Sequence, residues 1–292
     1  MVQRTLVTAV TEPEAEALRL KLDQASFEWR SQPHARFSAR GEGVVATCYA
    51  SGKLVVQGLD PESFLLRHLG RQVTAPEPKP EINLPSGTIT GSDECGKGDL
   101  FGPLIVVALR LEPDEAKKLA MGGVVDSKLI SDERANHVGA ALLERYKPAI
   151  ARFEPLEYNR AYQRIGNLNA ILTDLHAQAL RGAAQPGDTV VVDQFGPVGR
   201  MERVLRGSPF RLIQIPRGER VTAVAAASTV ARHLFLEALR ELSLDAGVEL
   251  PKGAGEPADR AAARLFALHG EAGMPRFAKM HFANANRIVG RR

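Results

Sequence analysis

Cysteine is scarce and long apolar runs are absent in this chain of 292 residues. Its two cysteines, Cys48 and Cys95, lie far apart and form no metal-spaced pair, so we expect a reducing cytoplasm as the location. No apolar run approaches the roughly 20 residues that span a bilayer, so we expect no membrane association. Acids at Glu12, Glu14 and Glu16 argue against a signal peptide.

Acidic residues are missing from the end of the chain. The formal net charge is only +4 and hydrophobic residues make up 44% of the sequence, which indicates a globular protein in water. No acid follows Glu271, whereas the following basic residues do: Arg276, Lys279, Arg287, Arg291 and Arg292. Such an end suits a polyanionic partner, and a solvated terminus has the same composition.

A proline-rich stretch divides the chain. Residues 71–87 contain four prolines with acids between them, which is typical of an extended linker. Before it, residues 1–70 predict a small α+β domain with strands, one long helix and a closing helix. Helices over one face of its sheet would leave the other face open for binding. The predicted strands are 6–10, 36–40, 43–50 and 53–58, and the predicted helices are 12–22 and 61–69.

Strands and helices mix after the linker, over residues 88–292. Antiparallel strands first and a strand-helix-strand order later predict a mixed α/β sheet flanked by helices. The predicted strands are 88–94, 102–111, 149–156, 188–193 and 211–216. The predicted helices are 132–146, 157–164, 167–181 and an alanine-rich helix within 219–242, with further helices towards the C-terminus.

The most informative motif runs from Gly91 to Gly98 and reads Gly-Ser-Asp-Glu-Cys-Gly-Lys-Gly. Its adjacent acids, Asp93 and Glu94, repel each other unless divalent cations lie between them, and Mg²⁺ prefers hard carboxylate oxygens. The glycines behind them let backbone N–H groups approach a ligand closely. A metal site beside a backbone cradle indicates phosphodiester chemistry.

The same motif also fits the first seven positions of a phosphate-binding P-loop. However, Gly98 stands where a Ser or Thr hydroxyl should hold Mg²⁺, and Asp93 and Glu94 would repel a triphosphate. A P-loop opens a helix, whereas the apolar run at 104–109 favours a strand. Nucleotide hydrolysis is therefore the disfavoured alternative.

Asp193 is the third candidate acid. It ends a run of three valines and precedes a Gly-Pro turn, the kind of position where open α/β sheets place ligands. If its strand neighbours the strand of Asp93, the two strands lie about 4.8 Å apart and the two carboxylates can share a metal. The alternative role is a simple cap of the turn.

Two acids compete for a fourth position. Glu219 follows the Arg217–Gly218 turn just before the alanine-rich helix, which places it near the expected site, whereas Glu237 lies far along that helix. We therefore prefer Glu219, although an acid at a helix start is also favoured by the helix dipole. His233 is a candidate for proton transfer, and packing is the more usual role of a lone helix histidine.

These residues carry a family resemblance. The sequence 93–104 resembles the signature of the type 2 ribonucleases H, specifically of ribonuclease HIII. Residues 49–58 look like the N-terminal substrate-binding domain of that family, which is related in shape to the TATA-binding protein. Further similar stretches are 126–129, 158–159, 167–169, His176, 192–195, 225–228, 251–254 and 278–284. The resemblance covers nearly the whole chain.

The resemblance implies a ribonuclease H-like catalytic domain at 88–292. This endonuclease would cut the RNA strand of an RNA–DNA hybrid and leave 5′-phosphate and 3′-hydroxyl ends, with two Mg²⁺ or Mn²⁺ ions. The implied metal ligands are Asp93, Glu94, Asp193 and Glu219. Ribose 2′-hydroxyls, which distinguish RNA from DNA, would meet the backbone of Gly96, Lys97 and Gly98.

Glutamate at 219 departs from the related ribonuclease HII, which has a Lys-Gly-Asp turn there. Cys95 also departs from the family, which has a small or apolar residue at this position. It is either a small filler or a thiol that makes the activity sensitive to oxidation.

Ribonuclease HII, which acts on single ribonucleotides in DNA, is the nearest alternative. The family achieves this with a C-terminal tyrosine, and no tyrosine follows Tyr162 here. Lys97 in place of arginine and the extra N-terminal domain also favour ribonuclease HIII. A protein that only binds hybrids is a second alternative, but carboxylates near a phosphate backbone weaken binding unless a metal neutralises them.

In the N-terminal domain, we expect Tyr49, Lys53 and Gln57 to present one face to the hybrid. Strand alternation places these odd positions on the same side, if no bulge intervenes. The alternative is that Tyr49 packs in the core and Lys53 is a solvated turn residue. Nothing in the sequence indicates an obligate protein partner, so we expect a monomer.

Overall fold

The computed structural model describes residues 4–25, 27–32, 34–71, 84–122, 130–196 and 198–290. Most of the expected linker, the motif at 126–129, Pro197 and the last two arginines lie outside the described residues. The chain forms two compact units, Met1–Leu84 and Pro85–Arg292. In the described part of the chain, no helix has the length and apolarity that a membrane crossing requires.

The first unit is a five-stranded antiparallel sheet with the strand order β1-β5-β4-β3-β2. Its strands are β1 (Arg4–Ala9), β2 (Glu28–Trp29), β3 (Ala35–Gly41), β4 (Val44–Tyr49) and β5 (Lys53–Gly58). Its helices are α1 (Glu12–Gln24) and α2 (Pro61–Leu69). The sequence missed β2, because two exposed residues show no alternation.

One face of this sheet packs against both helices. Along β5, Leu54 and Val56 are fully buried, whereas Lys53 and Gln57 are exposed. The buried side joins a single core with residues of α1 and α2 such as Leu18, Leu22 and Phe64. The period-2 alternation of the sequence therefore predicts correctly which face is covered.

The second unit contains a five-stranded mixed sheet with the strand order β10-β9-β6-β7-β8. Its strands are β6 (Ile89–Cys95), β7 (Leu104–Leu111), β8 (Ala149–Phe153), β9 (Thr189–Asp193) and β10 (Arg211–Ile215). Strands β6, β7 and β8 are antiparallel neighbours, and β9 runs parallel to both β6 and β10. This confirms the predicted mixed sheet, and the strands of Asp93 and Asp193 are neighbours, which is the condition on which a shared metal depends.

Helices cover both faces of this sheet. They are α3 (Pro113–Met121), α4 (Asp132–Tyr146), α5 (Pro155–Ile165), α6 (Leu168–Ala183), α7 (Val198–Val204), α8 (Thr222–Ala246), α9 (Glu256–Gly273) and α10 (Ala283–Ile288). Alternate residues of β7 enter two different cores: Ile105 and Val107 join the α8 side, and Val106 joins the α6 side. A strand covered on both faces is apolar at nearly every position, as this one is.

Helix α8 approaches the backbone of β6 very closely. A Cβ atom added to Gly91 would lie 2.3 Å from the backbone nitrogen of Val224, so only glycine fits there. The facing side of α8 is built from small buried residues such as Ala226 and Ala227. This close approach brings Ser228, one turn further along α8, to the end of β6.

The basic C-terminal residues that the structure describes are engaged within the protein. Arg276 pairs with Asp245 and Arg287 pairs with Asp259, and Lys279 is fully buried. These partners lie on other elements, which is why the sequence alone suggested a free basic end. The side chains of Arg276 and Arg287 stay 58% and 71% exposed, so the choice between a polyanion-binding end and a solvated end stays a prediction.

Candidate active site

A cleft of about 580 Å³ lies at the C-terminal ends of β6 and β9. Acidic residues lining it are Asp93, Glu94, Asp99 and Asp193. Basic residues lining it are Lys97, Arg232 and Lys252. The carboxyl ends of parallel strands are the usual ligand sites of open α/β sheets. Here acidic and basic side chains line the same cavity.

Asp93 and Asp193 lie near the C-terminal ends of neighbouring parallel strands. The pairing of β6 with β9 sets Ser92 opposite Val192, so the two aspartates follow at matching positions. Burial, then the charge of Glu94 and more weakly that of Asp193, raises the pKa of Asp93 to about 7, although a hydrogen bond from Ser228 opposes the shift. The Oδ1 atom of Asp193 accepts the backbone N–H of Gly218 at 3.0 Å.

Glu94 is held by a buried histidine. Burial disfavours its charge, but the hydrogen bond and charge of His176, and then those of Lys97, outweigh burial and lower the pKa of Glu94 to about 2. The Nε2 atom of His176 lies 3.2 Å from Oε2 of Glu94, and its Nδ1 atom lies 2.8 Å from the hydroxyl of Ser92. The imidazole of His176 thus contacts Glu94 with one ring nitrogen and Ser92 with the other, which fixes the position of the carboxylate.

His176 also stacks on Phe195, with ring centroids 4.8 Å apart. Sequence reasoning gave His176 no role beyond its place in the family resemblance, because its partner Glu94 lies 82 positions away. His233, in contrast, is buried and contacts Asn136 at 3.3 Å. It is not among the residues that line the cleft, so its role is packing.

The glycine loop behind the acids has two different glycines. Gly96 has a φ of 94°, and an added Cβ atom would lie 2.1 Å from the carbonyl oxygen of Pro103. Gly98 lines the cleft, and an added Cβ atom there would meet no protein atom within 4 Å. Gly96 is therefore required by the fold, whereas Gly98 leaves open space for a close ligand.

A buried lysine fixes the far end of this loop. The Nζ atom of Lys279 donates to the carbonyl oxygens of Asp99, Phe101 and Gly102 at 3.0, 3.3 and 2.7 Å. Burial lowers the pKa of Lys279 to about 8, against the opposing charge of Asp99. Asp99 in turn accepts the backbone N–H of Gly253 at 2.6 Å.

Cys95 faces the same cleft but is held as a thiol. Burial, followed by the charge of Asp99, raises the pKa of Cys95 to about 12. The thiolate is the reactive form of cysteine, so this environment argues against the oxidation-sensitive role and favours the small filler.

The cleft fits divalent cations by its donor chemistry. Asp93, Glu94 and Asp193 offer only oxygen ligands, which Mg²⁺ and Mn²⁺ prefer. Asp93 resists ionisation because it is buried beside two other carboxylates, and a cation is the group that would relieve this repulsion. Within the described ranges, no three His, Cys, Asp or Glu side chains stand close enough together to hold an ion as they are placed. Hydrogen bonds to Gly218 and His176 hold two of the three carboxylates.

The two candidates for the fourth acid lie outside the residues that line this cleft. Glu219 is half-buried on a short 3₁₀ turn, next to the Gly218 that binds Asp193. Glu237 is exposed on α8 and lies 3.8 Å from Arg240. Glu219 follows Gly218, which hydrogen-bonds to the cleft residue Asp193.

The residues of the first unit that we expect to bind the substrate lie on one face of its sheet. Lys53 and Gln57 are exposed on the face of β5 that the helices do not cover, and no bulge interrupts the pairing of β4 with β5. Tyr49 is half-buried at the end of β4. By strand alternation it lies on the same face of the sheet as Val45, opposite to the face of the buried Cys48.

Known proteins resemble the whole chain. A ribonuclease HIII from Protochlamydia amoebophila is 33% identical over an alignment of 285 positions that covers 95% of this chain and 94% of the relative. A ribonuclease HIII from Geobacillus kaustophilus is 34% identical over an alignment of 294 positions that covers 94% of each chain. The crystal structure of Bst-RNase HIII in complex with Mn²⁺ is 31% identical, has a TM-score of 0.66 and covers 98% of both chains.

Two family models match the chain, and each falls largely within one of the two compact units. The model described as Ribonuclease HII matches residues 90–285, which contain the cleft, and a domain of unknown function, DUF3378, matches residues 5–77. The mixed sheet and its acid-lined cleft define a type 2 ribonuclease H, a metal-dependent endoribonuclease. With its full-length relatives, the chain belongs to the ribonuclease HIII family.

Proposed function

We propose that this protein cuts the RNA strand of RNA–DNA hybrids by two-metal-ion hydrolysis, leaving 5′-phosphate and 3′-hydroxyl ends. The observation that carries the proposal is the meeting of Asp93, Glu94 and Asp193 in one cleft beside the open glycine loop. The three acids come from two strands that are about 100 residues apart in sequence and adjacent in the sheet.

We assign metal binding to Asp93, Glu94 and Asp193. Divalent cations, when bound, make the attacking water more acidic and neutralise charge that develops on the phosphodiester. The protein's own residues prepare the ligands: His176 and Lys97 keep Glu94 ionised, while Gly218 orients Asp193.

The glycine loop gives the selectivity for RNA in this proposal. We propose that the backbone of Gly96, Lys97 and Gly98 contacts ribose 2′-hydroxyls, which DNA lacks. Two features support this: Gly98 is exposed in the cleft, and the Nζ atom of Lys97 lies over the Phe195 ring, 5.7 Å from its centroid, in the same cleft. We also assign to Lys97 the neutralisation of a phosphate.

Glu219 remains our proposed fourth carboxylate, acting from the edge of the site. Its support is its position beside Gly218, which binds Asp193. Glu219→Gln should lower turnover about tenfold, equivalent to about 1.4 kcal/mol in the barrier. Glu237→Gln, on the exposed face of α8, is the matched control and should retain full turnover. Equal turnover of both variants would remove Glu219 from the site.

The first unit is proposed to bind the hybrid, with residues 1–70 as the substrate-binding domain, 71–87 as the linker and 88–292 as the catalytic domain. Tyr49, Lys53 and Gln57 are the proposed contacts, supported by the exposure of Lys53 and Gln57 on the uncovered sheet face. We also propose a cytoplasmic monomer that needs no protein partner. Its free cysteines suit a reducing compartment, and light scattering should give the mass of one chain.

Cleavage of a labelled RNA–DNA hybrid tests the function. We expect cleavage with Mg²⁺ or Mn²⁺, loss of cleavage in EDTA, and none on single-stranded RNA or duplex DNA. A duplex with one embedded ribonucleotide tests the ribonuclease HII-like alternative. Preference for that duplex over a longer RNA stretch would replace the proposal with the alternative.

A further inference from the structure

Two cationic side chains on the wall of the cleft have no part in the roles assigned above. Arg232 lies on α8, and Lys252 lies between α8 and α9. We propose that Arg232 and Lys252 together bind one non-scissile phosphate of the nucleic acid substrate, with Asp132 holding both side chains in position. This site rests on the proposed function, because it serves the same substrate.

Asp132 joins the two cations. Its Oδ1 atom accepts from Nε of Arg232 at 3.1 Å, and its Oδ2 atom contacts the ammonium group of Lys252. Arg232 also donates to the carbonyl oxygen of Ile130 at 3.1 Å. The hydrogen bond from Lys252, against some burial and with further help from Arg232, lowers the pKa of Asp132, so the carboxylate is charged and keeps both cations ordered.

The position of Arg232 fits a phosphate next to the reacting one. Arg232 follows Ser228 by one helical turn on α8, and Ser228 hydrogen-bonds to Asp93. Residues four apart on a helix share a face, with Cβ atoms about 5–6 Å apart. Arg232 therefore lies one helical turn along α8 from the residue that binds Asp93, and it lines the same cleft. Its planar fork of donors also matches phosphate oxygens.

Lys252 reaches the cleft from the side of the glycine loop. The next residue, Gly253, donates its N–H to Asp99 and accepts the N–H of Leu100 at 3.0 Å. These two hydrogen bonds fix the backbone next to Lys252 to the glycine loop, which is the proposed ribose contact. The proposed phosphate site bridges the loop and α8, so a substrate bound there is aligned with both.

A purely structural ion pair is the competing explanation. The side chain of Lys252 is 45% exposed and that of Asp132 is 42% exposed. An ion pair at such exposure contributes at most about 1 kcal/mol to stability, so stability alone gives little reason to place Lys252 at the rim of the active site. The side chain of Arg232 is 18% exposed, so its pair with Asp132 also fixes the guanidinium group in position.

Salt-dependent binding tests the site without requiring cleavage. Arg232→Gln and Lys252→Gln should each weaken hybrid affinity about five- to tenfold and lower the slope of log affinity against log salt by about 1. In both variants the Michaelis constant for the hybrid should rise by a larger factor than turnover falls. The matched control is Arg240→Gln, an exposed arginine further along α8, which should keep the wild-type slope. Unchanged slopes in both site variants would overturn the proposal.

Neutral phosphate analogues locate the contact. Single methylphosphonates placed in turn along each strand should weaken wild-type binding at several positions. At one of these positions the methylphosphonate should no longer weaken binding by the Lys252→Gln variant. The reason is that the free-energy losses from removing the two partners of one direct contact do not add. Equal penalties for wild type and variant at every position would show a general electrostatic effect and refute a specific phosphate site.

Folding and function remain separable in this design. If Arg232→Gln unfolds, Lys252→Gln carries the test, since its half-exposed side chain leaves no cavity. A wild-type protein that binds hybrids with the expected salt slopes but never cuts them would refute the proposed function and keep the phosphate site. If the wild-type protein cuts hybrids and both variants bind them with the wild-type salt slope, only the phosphate site is refuted.

Discussion

At the residue scale, Asp193 provides the sharpest test of the catalytic assignment. Asp193→Asn keeps an oxygen that accepts the N–H of Gly218 but removes the charge that a cation needs. We expect turnover to fall by about 100- to 1,000-fold, equivalent to about 3–4 kcal/mol, while hybrid affinity stays within a few fold. Single-turnover cleavage and fluorescence anisotropy measure the two quantities.

Asp174→Asn is the control for this substitution. Asp174 is an exposed aspartate on α6 in the same unit, so its variant should match the wild type in both assays. A protein that only binds hybrids would be indifferent to Asp193→Asn, and unchanged cleavage by this variant would contradict the metal site.

The two glycines of the loop should respond differently to alanine. Gly96→Ala places a Cβ atom against the carbonyl of Pro103 in a left-handed backbone, so it should lower the free energy of unfolding by about 3 kcal/mol. Gly98→Ala meets no protein atom, so stability should hold while the Michaelis constant for the hybrid rises about fivefold. Chemical denaturation and steady-state kinetics separate them. A destabilised Gly98→Ala protein with normal kinetics would contradict this division of roles.

At the element scale, Lys279 connects the C-terminal segment to the glycine loop. Lys279→Met keeps the length of the side chain but leaves three loop carbonyls without their donor. We expect a loss of about 1–3 kcal/mol in the free energy of unfolding and a larger rise in the Michaelis constant than fall in turnover. Lys118→Met, on an exposed lysine of α3, is the control.

The same lysine predicts a pH dependence of stability. Burial lowers the pKa of Lys279 from 10.5 to about 8, so between these values the unfolded chain binds a proton that the folded chain does not. Stability therefore rises with pH wherever the unfolded state binds more protons. The wild type should gain stability relative to Lys279→Met as the pH rises from 8 to 10. A constant difference in denaturation free energy over this range would contradict the lowered pKa.

Elements with strong periodic burial were predictable, and weakly buried ones were not. The helix α4 and the strand β9 were predicted to within one residue. Helix α3 was missed, because it has no buried residue and so shows little apolar periodicity. Local sequence specifies an element only where that element repeatedly contacts the core.

At the scale of the whole molecule, the second unit carries its own core on each face of its sheet. Deleting residues 1–84 should therefore leave a folded catalytic unit. If the first unit binds the hybrid, the deletion should raise the Michaelis constant at least about tenfold and change turnover only a few fold. Thermal unfolding of the truncated chain is the control for folding, and unchanged hybrid affinity would rule out the substrate-binding role.

The sequence by itself determined the mixed sheet, the covered face of the first unit and the acids Asp93, Glu94 and Asp193. Alternation, adjacent like charges and a glycine turn are local signals that need no knowledge of distant contacts. The tertiary structure alone brought His176 to Glu94, Lys279 to the loop and Arg232 to the cleft. Each of these contacts joins residues more than 80 positions apart or depends on how closely α8 approaches β6. No local pattern encodes such contacts, because only the packing of the whole unit brings the partners together.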